Sequence, residues 1–288
     1  MHRTFHCLMP TAKPFSLCGV FVINLDRRPD RWEAISQVCA RARLASDMIE
    51  RVTAVDGSLV DVNACYNCGF VSRLGLLRLQ EPDDHHIWGM DLNRGALGCA
   101  LSHIQLWGRI ASLSKMGHAS IASLPSSSTS LASTSITSSK ECYLILEDDA
   151  ELADDGDSSH RPFLEELQDR MDRVPSNWEL VYVGGLDTAG QCDSMRVAKG
   201  VAHVPQYHRT TSAYLLTPQG ARRLLATCLP LPFQLDTVMT MKVGLPPGLR
   251  YAPDAIPYVL DPVSYTLQPP LMRQSAHLGT DIQRFRDQ

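Results

Sequence analysis

Two kinds of apolar pattern alternate along the chain. Continuous apolar runs bounded by polar residues, at 19–25 and 143–146, are typical of buried strands in a mostly parallel sheet. Further strands are predicted at 51–57, 178–185 and 211–217, each ending near glycine, proline or another turn residue. These runs predict an α/β fold class rather than an all-helical or all-β one.

Helical spacing fills the segments between these runs. Trp32, Ile35 and Val38 predict a helix after the first strand, and helices are also expected at 161–174 and 221–227. A stronger helix begins near residue 93, and its apolar positions recur every three or four residues on one face: Ala96, Cys99, Ala100, His103, Trp107 and Ile110. Helices between strands indicate a mostly parallel sheet flanked by helices, in a single domain.

Composition shifts divide the chain. Thirteen of the twenty residues at 120–139 are Ser or Thr, so we expect a disordered insertion at 118–140 that buries little apolar surface. Residues 1–18 are predicted as a loose leader and 19–268 as the folded domain. The polar tail at 269–288 is a candidate cover for the site.

Charge and hydropathy exclude two partner classes. The net charge is −4 and no Lys/Arg block occurs, so no nucleic-acid partner is expected. No stretch reaches the ~20 apolar residues of a membrane span, and residues 1–19 lack the apolar core of a cleavable signal peptide. Cys65 and Cys68 form a lone CxxC, which does not favour a structural zinc site, because closed sites need four ligands.

Three carboxylates come directly after the apolar run at 143–146: Glu147, Asp148 and Asp149. Ligands of open α/β sheets bind beyond the carboxyl ends of the strands. Strand alternation would turn Glu147 and Asp149 to one face and Asp148 to the other. Such a pair suits a hard divalent cation such as Mg²⁺, which takes carboxylate and phosphate oxygens. The alternative is an acidic loop that only caps the next helix.

Arginines come after the first strand in the same way. Asp26 or Asp30 is expected to cap the helix there, with Pro29 in its first turn. Arg28 and Arg31 oppose the helix dipole, so a bound phosphate or nucleotide would account for them. Solvated surface charge is the other interpretation.

The helix near residue 93 opens with two glycines. Gly95 and Gly98 would let it approach another backbone or a ligand closely. Ser102 and His103 lie about two turns later. His103 is either a site residue or a buried, hydrogen-bonded core histidine.

Taken in order, these segments resemble glycosyltransferase family 25, which includes bacterial lipooligosaccharide galactosyltransferases and animal procollagen galactosyltransferases. The motifs that carry the resemblance are 22–28 with Asp30 and Arg31, 54–57, 95–103 and 146–149, with weaker ones at 180–184, 213–216, Asp236 and 279–282. The resemblance implies a GT-A-like, Rossmann-related fold and inverting transfer of a hexose, typically galactose, from a UDP donor. It also implies a divalent metal, usually Mn²⁺.

The resemblance further implies roles for particular residues. Glu147, Asp148 and Asp149 look like the family's metal-binding motif for Mn²⁺ or Mg²⁺. Matching positions assign the donor, UDP-galactose or UDP-glucose, to eight residues: Asn24, Asp26, Arg28, Arg31, Asp56, Gly98, Ser102 and His103. Inversion needs a base on the acceptor hydroxyl. Asp236 is the candidate, as a lone acid in an apolar, Pro-flanked segment, and Glu151 is the weaker alternative.

Other interpretations stay open. A non-catalytic family relative would bind a glycan or protein partner through the same fold. A nucleotidyltransferase would usually show a Gly-rich phosphate loop after the first strand, and this chain has none there. The acceptor is a protein or a glycan, and the compartment is either the cytoplasm or the secretory-pathway lumen, where eukaryotic relatives work.

Overall fold

A computed structural model describes most of the chain. The described residues are 15–82, 85–87, 89–119, 139–153, 161–185, 196–204, 208–240 and 262–282, with backbone only at 114–119. The strands are β1 (Phe15–Asn24), β2 (Ile49–Thr53), β3 (Lys140–Glu147), β4 (Ala150–Leu152), β5 (Leu180–Tyr182), β6 (Arg196–Ala198), β7 (Val201–His203), β8 (Ala213–Leu216), β9 (Ser264–Leu267) and β10 (Met272–Gln274). The helices are α1 (Pro29–Arg41), α2 (Val62–Asn67), α3 (Arg73–Gln80), α4 (Arg94–Ala119), α5 (Phe163–Met171), α6 (Pro218–Thr227) and α7 (Leu235–Thr240), with 3₁₀ turns at Ser46–Met48 and Gly57–Leu59.

Eight strands form one central sheet in the order β2-β1-β3-β8-β5-β9-β7-β6. Strand β1 pairs in parallel with β2 and β3, and β5 pairs in parallel with β9. Strands β7 and β8 run against their neighbours, so the other six strands point the same way. The predicted α/β fold with a mostly parallel sheet flanked by helices is confirmed.

Strand alternation divides the core into two layers. Val20 and Val22 of β1 pack in the layer that contains α1 and α5. Phe21 and Ile23 pack in the opposite layer, with α4 and α6. Because both faces are covered, the central strands are apolar on both sides, and this is the continuous pattern that identified them in the sequence.

Several boundaries differ from the predicted ones. Neither Asp26 nor Asp30 caps α1: its N-cap is Arg28, without a side-chain hydrogen bond, although Pro29 does occupy the first turn. Helix α6 begins earlier than predicted, at Pro218, because the Thr217 hydroxyl accepts the Gly220 N–H at 3.0 Å. Strands β9 and β10 and helix α7 lie in segments for which the sequence predicts no helix or strand.

The predicted leader and insertion fall largely on residues outside the described part. Residues 15–18 of the expected leader belong to β1, where Phe15 pairs with Lys140. Residues 118–119 of the expected insertion continue α4, and Lys140 begins β3. Residues 120–138 lie outside the described residues. The sequence also favours extended backbone at 253–262, and of that segment only residue 262 is described. Within the described helices, none combines the length and apolar character needed to cross a membrane.

Candidate functional site

A cavity of about 810 Å³ opens where the carboxyl ends of β1 and β3 meet. Ile23 near the end of β1 is in register with Glu147 at the end of β3, so the residues after both strands lie at the same sheet edge. The other walls come from the loop after β2, the end of α3 and the segment that follows it, the first three turns of α4, Gln234 and the C-terminal segment 280–282. The acidic triplet predicted from the sequence lines this cavity.

Glu147 is held by hydrogen-bonding side chains from two elements. Its Oε1 lies 3.2 Å from His103 Nε2 of α4 and accepts a hydrogen bond from the Thr211 hydroxyl just before β8. Burial opposes ionisation, but the His103 and Thr211 contacts outweigh it and lower the pKa of Glu147. Glu147 therefore presents an oriented, charged carboxylate at the cavity wall.

Asp148 and Asp149 form the turn after β3, and both approach the same guanidinium. Asp148 accepts from Asn24 Nδ2 at 2.7 Å and from Arg31 Nη1 at 2.8 Å. Asp149 accepts from Gln274 Nε2 at 3.0 Å and lies 3.6 Å from Arg31 Nη1. The expectation that Asp148 faces away from Asp149 is wrong, because the strand ends at Glu147 and its alternation stops there.

Asp149 has the environment that a cation would satisfy. Its Oδ1 is buried and has no hydrogen-bond partner within the described part of the chain. Burial, and then the neighbouring Glu147 charge, raise the pKa of Asp149 to about 7. Buried carboxylate oxygens normally have partners, so an orphan beside a second carboxylate fits a divalent cation with oxygen ligands.

Three arginines converge on one carboxylate at the end of β1. Asp281 lies 2.7 Å from Arg27 Nη1, 2.6 Å from Arg28 Nη1 and 3.5 Å from Arg31 Nη2. Partial burial opposes ionisation, but Arg27 and the other two guanidinium groups lower the pKa of Asp281. Arg27 and Arg31 line the cavity and Arg28 does not. The arginines at the cavity therefore include one, Arg27, that was not predicted as a site residue from the sequence.

Backbone contacts hold the C-terminal segment against this cluster. The carbonyl of Gly279 accepts from Arg31 Nη2 at 2.7 Å, and that of Leu278 accepts from Arg28 Nη2 at 3.1 Å. A Cβ added to Gly95 would lie 2.5 Å from the Asp281 carbonyl oxygen. The start of α4 thus accepts this segment only because residue 95 has no side chain.

The loop after β2 packs against α4 just as tightly. A Cβ on Gly98 would lie 2.5 Å from the Gly57 nitrogen, so the predicted close approach of this helix is confirmed, with backbone as the partner. Ser102 Oγ accepts the Val55 N–H at 2.8 Å and bonds to the Gly98 carbonyl at 2.7 Å. Hydrogen bonds from Ser58 and then Arg27 lower the pKa of Asp56 to about 2.

The predicted site residues separate into two groups. Those that line the cavity are Arg31, Asp56, Ser102, His103, Glu147, Asp148 and Asp149. Those that do not line it are Asn24, Asp26, Arg28, Gly98, Glu151 and Asp236. Asn24 is buried and braces Asp148, whereas Asp26 lies outside and pairs with Arg51 at 2.9 Å.

Neither candidate base lines the cavity. Asp236 accepts the Thr210 N–H at 3.1 Å and the Thr237 N–H at 2.7 Å, and burial raises its pKa. Glu151 pairs with Arg273 at 2.8 Å across the β4–β10 ribbon. Asp236 and Glu151 therefore lie apart from each other and outside the lining of the cavity.

Several contributors have no local signal in the sequence. Gln274 reaches Asp149 from 125 positions away, and Asp281 reaches Arg27 from 254 positions away. Thr211 and Tyr214 belong to an ordinary apolar strand pattern, yet the Thr211 hydroxyl, just before β8, contacts Glu147, and the Tyr214 hydroxyl, within β8, contacts His103. Asp281 belongs to a weak family motif, which was the one available hint.

Comparisons with known proteins agree with the motifs. The model of glycosyltransferase family 25 (LPS biosynthesis protein) matches residues 18–117. The chain is 26% identical to the Homo sapiens "inactive glycosyltransferase 25 family member 3", over 100% of the chain and 42% of that protein. It is 29% identical to the Danio rerio "procollagen galactosyltransferase 1", over 72% of the chain and 28% of that protein.

A third relative is the Homo sapiens "procollagen galactosyltransferase 2", 23% identical over 87% of the chain and 36% of that protein. The chain thus spans less than half the length of each of these relatives. The resemblance to glycosyltransferase family 25 that the motifs indicate is confirmed by these matches.

Proposed function

We propose that this relative of glycosyltransferase family 25 transfers a hexose, galactose in the first place, from a UDP donor to a hydroxyl of a protein or glycan, with inversion. The observation that carries the proposal is the buried, unpartnered Asp149 Oδ1 beside Glu147 in a cavity of about 810 Å³. That oxygen fits a divalent cation, and a nucleotide diphosphate is a ligand that such a cation commonly shares. The names of the procollagen galactosyltransferase relatives support galactose as the sugar.

Asp149 and Glu147 would hold Mn²⁺ or Mg²⁺. Asp148 is less available, because Asn24 and Arg31 occupy both of its oxygens. When bound, such an ion offsets the negative charge that the leaving diphosphate gains as its bond to the sugar breaks.

The arginine wall would bind the diphosphate itself. Arg27 and Arg31 line the cavity, and their donors now engage the Asp281 carboxylate. Guanidinium groups that donate hydrogen bonds to a carboxylate also match phosphate oxygens, so the same donors suit either anion. A diphosphate would therefore lie between this wall and Asp149.

The acceptor hydroxyl needs a group that removes its proton. Asp236 is our candidate, because burial raises its pKa and two backbone N–H groups orient its carboxylate. Asp236 does not line the cavity, but it is near enough to Glu147 for that charge to raise its pKa as well. We do not propose Glu151, since its carboxylate pairs with Arg273 on the β4–β10 ribbon. An Asp236→Asn variant with parental thermal stability should lose most of its turnover; near-parental turnover would contradict this assignment.

A non-catalytic binding module is the second candidate. The Homo sapiens and Bos taurus relatives named as inactive or probable inactive family members favour it. Such a protein would keep the cavity and bind a donor or glycan without transferring the sugar. Binding and turnover therefore have to be measured separately.

Thermal unfolding tests binding directly. The parent, Asp149→Asn and the control Glu151→Gln are each melted with UDP-galactose, UDP-glucose or UDP, with and without Mn²⁺. A ligand at a hundred times its dissociation constant stabilises by about 2.7 kcal/mol. We expect a Mn²⁺-dependent shift in the parent and in Glu151→Gln, and none in Asp149→Asn.

Release of UDP from the donor then distinguishes the two candidates. A shift accompanied by Mn²⁺-dependent UDP release supports the enzyme. A shift without release, even with hydroxyl acceptors present, supports the binding module. The absence of a shift with every nucleotide would contradict both the donor and the metal assignments.

A further inference from the structure

We infer that a buried hydrogen-bond chain running from Tyr214 through His103 fixes the carboxylate of Glu147, which makes Tyr214 and His103 positioning residues of the metal and donor site; Trp107 only donates to the Tyr214 oxygen. The inference rests on the proposed function for the role of Glu147. The direction of the hydrogen bonds does not depend on that function.

The chain joins three elements. Trp107 and His103 lie one turn apart on α4, Tyr214 belongs to β8, and Glu147 ends β3. Trp107 Nε1 donates to the Tyr214 hydroxyl oxygen at 2.8 Å, and that oxygen lies 2.7 Å from His103 Nδ1. His103 Nε2 lies 3.2 Å from Glu147 Oε1. Trp107, Tyr214 and His103 are completely buried, so water does not compete for these bonds.

The donor inventory assigns each proton. An indole N–H only donates, so the Tyr214 oxygen accepts from Trp107. The Tyr214 hydroxyl proton then has one described acceptor, His103 Nδ1. A neutral imidazole that accepts at Nδ1 carries its proton on Nε2. His103 therefore donates from Nε2 to Glu147 Oε1.

The opposite arrangement would leave a buried donor unmet. With a proton on His103 Nδ1, the Tyr214 oxygen would accept from both ring systems and its own proton would face no described acceptor. A buried hydroxyl donor without a partner is costly. The hydrogen bonds thus select one tautomer.

The consequence lies at Glu147. Its Oε1 accepts hydrogen bonds from both His103 Nε2 and the Thr211 hydroxyl. All the side-chain hydrogen bonds described at this carboxylate end on Oε1. Oε2 is then the oxygen offered to a cation in the cavity that Glu147 lines. Groups that orient a metal-binding carboxylate typically affect metal affinity 10–100-fold.

The same atoms allow a different arrangement. Cys99 Sγ, a His103 ring nitrogen and a Glu147 oxygen lie within 4.8 Å of one another, close enough to surround a metal ion. Thiolate, imidazole and carboxylate together would suit zinc. Zinc on His103 Nε2 would require the proton on Nδ1, which opposes the Tyr214 hydroxyl. We therefore favour positioning, and zinc binding is one outcome of the test.

The first arm reads the tautomer in the protein without nucleotide or metal. The imidazole ¹⁵N shifts of His103, assigned by their loss in His103→Gln, should report a proton on Nε2 in the parent. In Tyr214→Phe the selection is lost and the Nδ1–H form should appear. A parent protonated on Nδ1 alone would overturn the inference, even if every variant failed to fold.

The second arm measures Mn²⁺ affinity. Tyr214→Phe removes one hydroxyl and should weaken Mn²⁺ binding about 10–100-fold. Trp107→Phe is the matched control, because it changes more core volume but keeps the Tyr214–His103–Glu147 links, so near-parental affinity is expected. Equal losses in both variants would indicate general destabilisation and overturn the positioning role.

The third arm tests zinc. Stoichiometric Zn²⁺ binding that Cys99→Ser abolishes would replace our inference with a Cys99, His103 and Glu147 metal centre. Failure of the proposed function looks different: UDP-sugar binding would be absent while the Nε2–H tautomer persists. If Tyr214→Phe binds Mn²⁺ as tightly as the parent, and the parent shows the expected Nε2–H tautomer, the positioning role at the metal site is overturned. The assigned hydrogen-bond directions would then still hold.

Discussion

Two charged clusters lie at the ends of neighbouring parallel strands, and they differ in how far their charge is exposed and paired. The acidic cluster (Glu147, Asp148 and Asp149) is largely buried and leaves Asp149 Oδ1 without a partner in the described part. The arginine cluster (Arg27, Arg28 and Arg31) meets the Asp281 carboxylate, and the Arg27 side chain is 50% exposed. Perturbed, unsatisfied buried charge is found preferentially where a ligand binds, so this contrast supports our proposal that the cation binds at the acidic cluster.

Arg31 connects the two clusters. Its guanidinium contacts Asp148, Asp149 and Asp281, and its side chain is only 6% exposed. Among the described residues, it is the arginine that forms ion pairs both with the acidic cluster and with Asp281. The difference between the clusters can therefore be tested by removing one arginine at a time.

The largest effect is expected from Arg31→Ala. Removing the buried guanidinium leaves Asp148 and Asp149 without a cation, and breaking a buried ion pair typically costs about 3–5 kcal/mol. Urea unfolding at pH 7.5 measures this change in the free energy of unfolding. A cost below about 1 kcal/mol would mean that the acidic cluster does not depend on this cation.

A smaller effect is expected from Gly95→Ala, which tests how the C-terminal segment is held over the arginine cluster. The new Cβ would lie 2.5 Å from the Asp281 oxygen and 2.8 Å from Ile282 Cα, an overpacking that typically costs about 1–3 kcal/mol. Gly108→Ala is the matched control on the same helix, because nothing lies within 4 Å of its added Cβ. That control should stabilise by about 0.4–1 kcal/mol. Equal changes in both variants would contradict the close contact.

The pH dependence of the free energy of unfolding tests whether Asp149 in the acidic cluster ionises near neutral pH. Burial raises the pKa of Asp149 from 3.8 to about 7, so folding takes up a proton. This contribution to stability is complete below pH 3.8 and is lost as the pH rises through about 7. From pH 6 to pH 8 the metal-free parent should lose about 1.4 kcal/mol relative to Asp149→Asn.

Calorimetry of both proteins across that range gives the difference. Since groups far from the cavity titrate equally in parent and variant, the comparison isolates Asp149 together with the Glu147 carboxylate whose charge acts on it. A difference that does not change between pH 6 and pH 8 would show that Asp149 does not titrate in this range and would contradict its raised pKa.

The smallest effect is expected from Arg27→Ala. The Arg27 pairs with Asp56 and Asp281 are half-exposed, and such pairs contribute about 0.2–1 kcal/mol. The effect should shrink further between 0.05 and 0.5 M salt, because exposed charges are screened. A cost that matches Arg31→Ala would remove the distinction between the two clusters.

The local pattern of apolar and polar residues was sufficient to predict the long central strands and helix α4. The apolar runs in β1 and β3 and the stripe on α4 bury the residues that their periods indicate, with Val22, Leu146 and Trp107 all inaccessible. These elements are recognisable because each is buried along several consecutive residues or turns. The acidic triplet was also found correctly at the cavity edge, since strand order alone puts strand ends there.

Some short elements gave no such signal, although β5 and β8, which are equally short, lie in apolar runs that the sequence does show. Strand β9 is only Ser264–Leu267, and it becomes buried only because β5 and β7 pair with it. Helix α7 has six residues, too few to display a period. A periodic pattern needs more than one turn or several alternations to be recognised, so tertiary packing decides these assignments.

The amino-acid sequence alone therefore determines the fold class, the main strands and helices, and the edge of the sheet at which the acidic residues lie. All of these result from how neighbouring side chains divide between core and solvent. Tertiary structure decides which partner each charge meets: Tyr214 reaches His103 across 111 positions and Asp281 reaches Arg27 across 254. Hydrogen bonds and ion pairs depend on distance in space, and nothing in the local sequence near Glu147 or Arg27 encodes the side chain that arrives from elsewhere in the chain.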